Sequence, residues 1–310
     1  MLAAARATAA LDRAHPAHPD LTFLSLYAVV GAWDQQAREI FRVGTALAMA
    51  RCGQLGLHRM LPPDRVWVGI RSESAERYGG FHHGGQGYRH LQMGAVVTQH
   101  GYLHPSQPGT PPTLVALDLL RSYTHDSLHY GTFREYVIYE AEVFRTRYGI
   151  NRRDPGGLSF SAVDPPDAES TRNLGVVMEG ATDREARTVA RHTAVALGLS
   201  APADASNRVM FHDTTGQLTG AERAKLASCL YSAETYGCGI DRYLAALAAY
   251  NREVDTRYTA FLAEIGGREA EDLHVLIVAA MVTGDLGELT RWLDQRHGAD
   301  AFDRIFRRSG

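Results

Sequence analysis

His125 and His129 stand four residues apart in the stretch Thr113 to Tyr130, TLVALDLLRSYTHDSLHY, with Asp126 directly after the first of them. On a helix this spacing sets two imidazoles side by side, one turn apart, where both can give a ring nitrogen to one cation. His100 and His104 repeat the spacing. Further on, Glu179 and Asp183 are again four apart, in RNLGVVMEGATD from Arg172 to Asp183. That pair puts two carboxylates on one helix face, where one can bind a cation while the other accepts the remaining ring N–H of a ligating histidine. Glu140 and Glu142 follow His129 more closely in sequence and stand as alternatives to Glu179.

These residues must be carried by elements that hold them. Leu117, Leu120, Thr124 and Leu128 recur at helical spacing, and Asp118, Ser122, His125 and His129 form a polar stripe beside them, so 113–130 reads as an amphipathic helix. Pro111-Pro112 leads into it and Gly131 ends it. Ser170 or Thr171 is placed to cap a helix over Arg172 to Leu199 that carries Glu179 and Asp183. Upstream, Val66 to Ile70 reads as a buried strand and Leu91 to Leu103 as a strand or hairpin. Between and around them His82, His83, His90, His100 and His104 crowd a Gly-rich loop, which reads as polar surface before it reads as a second metal site. Phe133 to Arg147 and Leu158 to Val163 are expected to pair across the turn Asp154-Pro155-Gly156-Gly157.

The rest is helical in expectation. Ala3 to Arg13 forms one helix and Leu21 to Leu55 one or two more, packed through Phe23, Leu26, Val30, Trp33 and Phe41. Arg208 to His212 is a short strand. Thr219-Gly220-Ala221-Glu222 is a capping box that opens four helices near 219–236, 239–265, 268–283 and 285–307. The organisation is an N-terminal helical segment (1–60), a metal-binding core (61–215) and a C-terminal helical region (216–310).

Composition narrows the partners. With 310 residues and 45% hydrophobic content the chain can bury a large core. A formal net charge of -3 and the lack of a dense Lys/Arg block speak against binding nucleic acid through phosphate neutralisation. No apolar run reaches spanning length, and the N-terminus has charges where a secretory signal needs an apolar run, so neither a membrane span nor a leader is expected. The 3 cysteines make no even framework, consistent with a reducing, cytoplasmic setting.

The pattern His125-Asp126-x-x-His129 resembles the H-E-x-x-H motif of the zincin metallopeptidases, with Asp126 where that family places its catalytic glutamate. Glu179-x-x-x-Asp183 is similar to the E-x-x-x-D of the gluzincin branch. The resemblance spans about Val66 to Leu197. It implies an α+β fold, predominantly helical, with a small sheet beside the active-site helix and a helical region over the cleft. It further implies Zn²⁺ held by His125, His129 and Glu179, Asp183 steadying His125, and Asp126 as general base in hydrolysis of a peptide or amide bond. Tyr130, Tyr139, His192, Tyr231 and Tyr236 are candidates for steadying the oxyanion. Other readings stay open: an HD-type phosphohydrolase using the His125-Asp126 doublet with His90, His100 and Asp213, a mononuclear Fe(II) oxygenase, or a closed structural metal site.

Overall fold

The computed structural model describes residues 21–57, 60–71, 79–83, 88–92, 111–154, 156, 158–232 and 247–307. The expected helix Ala3 to Arg13 lies outside them, as do His100, His104 and all but the first two residues of the expected strand Leu91 to Leu103.

The helix expected from Leu21 is displaced by a strand. Leu21–Ser25 (β1) pairs antiparallel with Val66–Arg71 (β2), in register Leu21↔Arg71 through Ser25↔Trp67. A large-residue run next to a ladder partner gains more from pairing than from a helical turn. Helix starts only at Leu26–Gly31 (α1), where Ser25 Oγ accepts from the Ala28 N–H at 3.2 Å. Gln35–Gln54 (α2) follows, with Asp34 accepting from the Ala37 N–H at 2.8 Å. Gly79–His83 (β3) and Tyr88–Gln92 (β4) complete a sheet ordered β1-β2-β4-β3, in which β2 and β4 run parallel.

Pro112–Gly131 (α3) carries the two histidines. Every residue from Leu114 to Leu120 is buried, so the amphipathic reading fails for the first half of the helix. Asp118, expected on a polar stripe, is buried and held by Arg121 at 3.1 Å. Arg134–Tyr139 (β5), Glu142–Tyr148 (β6) and Asn151–Arg152 (β7) form an antiparallel sheet in that order. The hairpin closes at Glu140 and Ala141, both left-handed with φ of 50° and 63°. On either side of 154–157 the expected pairing is present but short: Asp154 N–H donates to Leu158 O at 3.1 Å and Phe160 N–H to Arg152 O at 2.9 Å. Leu158 to Val163 contributes isolated bridges, Arg153↔Ser159 and Ser161↔Arg307.

Leu174–Ala196 (α4) carries Glu179 and Asp183. Its cap is Asn173, whose Oδ1 accepts from Gly175 N–H at 2.8 Å, and not Ser170 or Thr171. Ala205–Thr214 (α5) replaces the strand expected at Arg208 to His212, because Asp204 Oδ1 accepts from the N–H groups of Ser206 and Asn207 and nucleates helix instead. Gly220–Ser232 (α6) opens on the capping box: Glu222 N–H donates to Thr219 Oγ1 at 3.2 Å and Thr219 N–H to Glu222 Oε2 at 2.9 Å. Two π-helical turns, Asn251–Thr256 and Leu262–Gly266, flank Arg257–Phe261 (α7). Ala270–Thr283 (α8), Gly287–His297 (α9) and Ala301–Phe306 (α10) finish the chain. The helix expected over 285–307 breaks where Gly298 and Asp300 take φ of 86° and 59°.

Two compact units emerge, one from residues 1–49, 61–126 and 186–249, the other from 50–60, 127–185 and 250–310, a division that runs across the three consecutive segments read from the sequence. In the first, Phe41 packs on Trp33 and Tyr123, the Tyr123 hydroxyl donates to Leu61 O at 2.6 Å, and the buried pair Arg187–Asp213 ties α4 to α5 at 3.1 Å. In the second, Val177, Met178 and Ala181 of α4 pack against Tyr258, Phe261, Ile277, Phe302 and Phe306. Gly180 is required there: a Cβ would sit 2.4 Å from the Tyr258 side chain. The architecture is α+β and mostly helical, and no helix among the described residues is long and apolar enough to cross a membrane.

Candidate metal centre

The last turns of α3 present His125 and His129. The helix ends through capping by a cation: Arg134 donates to Tyr130 O at 2.7 Å and to His129 O at 2.8 Å, which satisfies carbonyls that have no helical partner. Gly131 is the last residue of the helix, as expected, and it also permits a close approach, since a Cβ would lie 2.3 Å from Leu57.

Glu179 meets the two histidines. One ligand atom from each of His125, His129 and Glu179 lies within 4.8 Å of the others. Within this group, Glu179 Oε2 is 2.9 Å from His129 Nε2, and the other ring nitrogen, Nδ1, lies 2.7 Å from the Tyr148 hydroxyl. The Tyr250 hydroxyl donates to Glu179 Oε1 at 3.3 Å. The His129 side chain is 13% exposed and that of Glu179 35%, so the carboxylate faces solvent more than its partner does.

The donor set fits a first-row divalent cation. Bonds of about 2.0–2.1 Å in a tetrahedron space ligand atoms about 3.3 Å apart. The 2.9 Å His129–Glu179 separation and the 4.8 Å outer limit bracket that value, within the reach of side-chain rotation. Tyr148 supplies the outer partner that a ligating imidazole needs: with Nδ1–H donating to the Tyr148 oxygen, the Nε2 lone pair is left for a cation.

Comparison of the chain with protein-family models, with curated proteins and with solved structures returns no match. The site therefore stands on its own geometry.

The other expected residues take different places. Asp126 follows His125 on α3 and is buried, at 5% exposure; Asp183 lies one turn past Glu179 on α4 and is buried at 2%. Glu140 is exposed at the hairpin tip, and Glu142 pairs with Tyr139 in the β5–β6 ladder, so among the described residues Glu179 is the carboxylate found with both imidazoles. Of the oxyanion candidates, Tyr139 and His192 are exposed and Tyr130 is half-buried; Tyr231 and Tyr236 lie outside the residues whose side chains are described. Asp213, which an HD-type site would need, is engaged by Arg187.

Sequence reasoning missed Tyr148, Tyr250, Arg145 and Arg153. The last two line, with His129, Tyr148, Asn151 and Glu179, a pocket of about 250 Å³. No motif marks any of them. Tyr250 directly precedes the π-helical turn Asn251–Thr256, a distortion often found where a side chain is re-aimed at a site, and it has no sequence signature.

A second chain of the same three residue types begins on α4. The Tyr258 hydroxyl lies 2.8 Å from His274 Nδ1, and His274 Nε2 lies 3.2 Å from Glu185 Oε1. Arg51 closes it with two bonds to Glu185, at 2.7 and 2.6 Å. Burial alone pushes the Glu185 carboxyl up, but the hydrogen bonds and charges of Arg51 and His274 outweigh it and bring the pKa down to about 2. Burial, reinforced by the Glu185 charge, raises the neighbouring Cys52 thiol to about 11, which leaves it unreactive.

Proposed function

We propose that this chain is a metal-dependent hydrolase of the zincin type that cleaves a peptide or amide bond, with Zn²⁺ held by His125, His129 and Glu179. The observation that carries the reading is the convergence of these three side chains, from α3 and α4, within 4.8 Å. Bound zinc supplies a Lewis acid that lowers the pKa of a water towards about 7 and polarises a carbonyl oxygen. The chain's own residues do the rest. Tyr148 fixes the tautomer and orientation of His129, and Tyr250 restrains one Glu179 oxygen. Asp126, beside His125, is the residue to which we assign acceptance of the water proton and its return to the leaving amine. Its arm is about 1.5 Å shorter than that of a glutamate, so Asp126→Asn is the variant that tests its role. The exposure of Glu179 favours an open, reactive site over a closed structural one.

The test is elemental analysis of the purified wild type, Glu179→Ala and Glu140→Ala, followed by a peptide-cleavage screen. The expected result is about one zinc per chain in wild type and Glu140→Ala and loss in Glu179→Ala. Absence of metal in wild type after zinc is supplied overturns the reading.

A further inference from the structure

The pocket beside His129 and Glu179 carries two positive charges that the ligand set does not need. Arg145 projects from β6, and Arg153 follows β7, where its backbone N–H bonds Thr146 O at 2.8 Å. Their neighbour Arg134 is a useful contrast. Its guanidinium is spent on the carbonyls at the end of α3. Among the described residues no carboxylate pairs with Arg145 or Arg153, although the protein ion-pairs many of its other arginines. Arg145 is nevertheless held in place, with its Cζ 4.7 Å from the centroid of the Tyr148 ring. Stacking occupies the flat face of a guanidinium and leaves its five N–H donors, which lie in the plane, directed outward. Tyr148 thereby connects the two parts of the pocket: its hydroxyl meets His129 and its ring supports Arg145.

We infer that Arg145 and Arg153 form a carboxylate-binding subsite, and that the substrate of this centre carries a carboxylate next to the bond that is cut. The inference rests on the hydrolase reading for the identity of that bond. Planar guanidinium forks match carboxylates in a two-point geometry, and a volume of about 250 Å³ holds roughly one amino-acid residue. The carboxylate can come from a peptide C-terminus or from an acidic side chain.

The experiment compares binding of three short peptides of one sequence to the full chain by calorimetry: the free C-terminal acid, its C-terminal amide, and the amide with one neutral residue replaced by glutamate. It is run with wild type, Arg145→Gln and Arg153→Gln, each with and without zinc, after circular dichroism has shown that the variants are folded. The expected result is that a carboxylate-bearing peptide binds at least about tenfold more tightly than the plain amide, and that either arginine substitution removes the preference. Preference for the free acid assigns the C-terminal source, and preference for the glutamate peptide assigns the side-chain source. If zinc binds and peptides are cut but acid and amide bind alike, the subsite is overturned and the hydrolase reading stands. If no metal binds and nothing is cut, yet the preference is present and depends on the arginines, the hydrolase reading falls and the carboxylate subsite stands.

Discussion

Helix α4 carries two Tyr–His–Glu chains six residues apart, Tyr148–His129–Glu179 and Tyr258–His274–Glu185, with nearly the same hydrogen-bond lengths. They differ in what completes them. Glu185 is buried, at 3% side-chain exposure, and its charge is met by the Arg51 guanidinium. Glu179 is 35% exposed and shares its space with a second imidazole, His125. A buried carboxylate with an arginine is complete and has no use for a metal. A carboxylate with two imidazoles offers three ligand atoms of the kind a first-row divalent cation takes.

Substitution separates the two glutamates. Glu185→Ala leaves His274 buried without its acceptor and Arg51 without its anion, and should cost about 3–5 kcal/mol in chemical denaturation while metal content stays at the wild-type level. Glu179→Ala should do the reverse, with loss of metal and only about 1 kcal/mol in the metal-free protein, as expected for a partly exposed pair. Equal destabilisation by both variants would mean that the two chains are alike and that neither is a metal centre.

Acid gives a somewhat smaller effect. The Glu185 pKa is depressed from 4.5 to about 2, so its stabilisation is fully present above pH 4.5 and is lost as pH falls through about 2. The loss amounts to roughly 3 kcal/mol at most. Denaturation curves between pH 5 and 2 should show this component in wild type and not in Glu185→Gln. Tyr148→Phe sharpens the contrast with the smallest change. Removing the outer partner of His129 should weaken zinc binding about 10- to 100-fold in a competition titration and leave the melting behaviour close to wild type. Unchanged affinity would show that Tyr148 does not orient a ligand.

How much of this could be read from the residues alone depends on range. The i, i+4 pairs were legible because helical geometry converts spacing into proximity, and the capping box at Thr219 was legible for the same local reason. The strand β1 was not, since its pairing with β2 competes with a helical reading that fits its apolar pattern equally well. The longer hairpin was missed because Glu140-Ala141 lacks the Asn-Gly chemistry that announces a two-residue turn, whereas the pairing expected across 154–157 is present only as the short contact of Arg152 to Asp154 with Leu158 to Phe160. Tyr148 and Arg145 went unseen as a direct result: their positions follow from a register that the turn sets. The Glu185–His274 contact joins residues 89 apart, and no local rule anticipates it.

The turn has a further consequence. Two successive residues with side chains in the left-handed region cost on the order of 1 kcal/mol each, and the strands they join leave Ile138 and Val143 exposed, so little burial offsets that cost. The β5–β6 hairpin is therefore the part of the site with the shallowest local free-energy well. Its backbone amides should exchange with deuterium well before those of α4, and a peptide seated on Arg145 should slow them selectively. Occupancy of the pocket then becomes measurable as protection of a sheet, without any turnover at all.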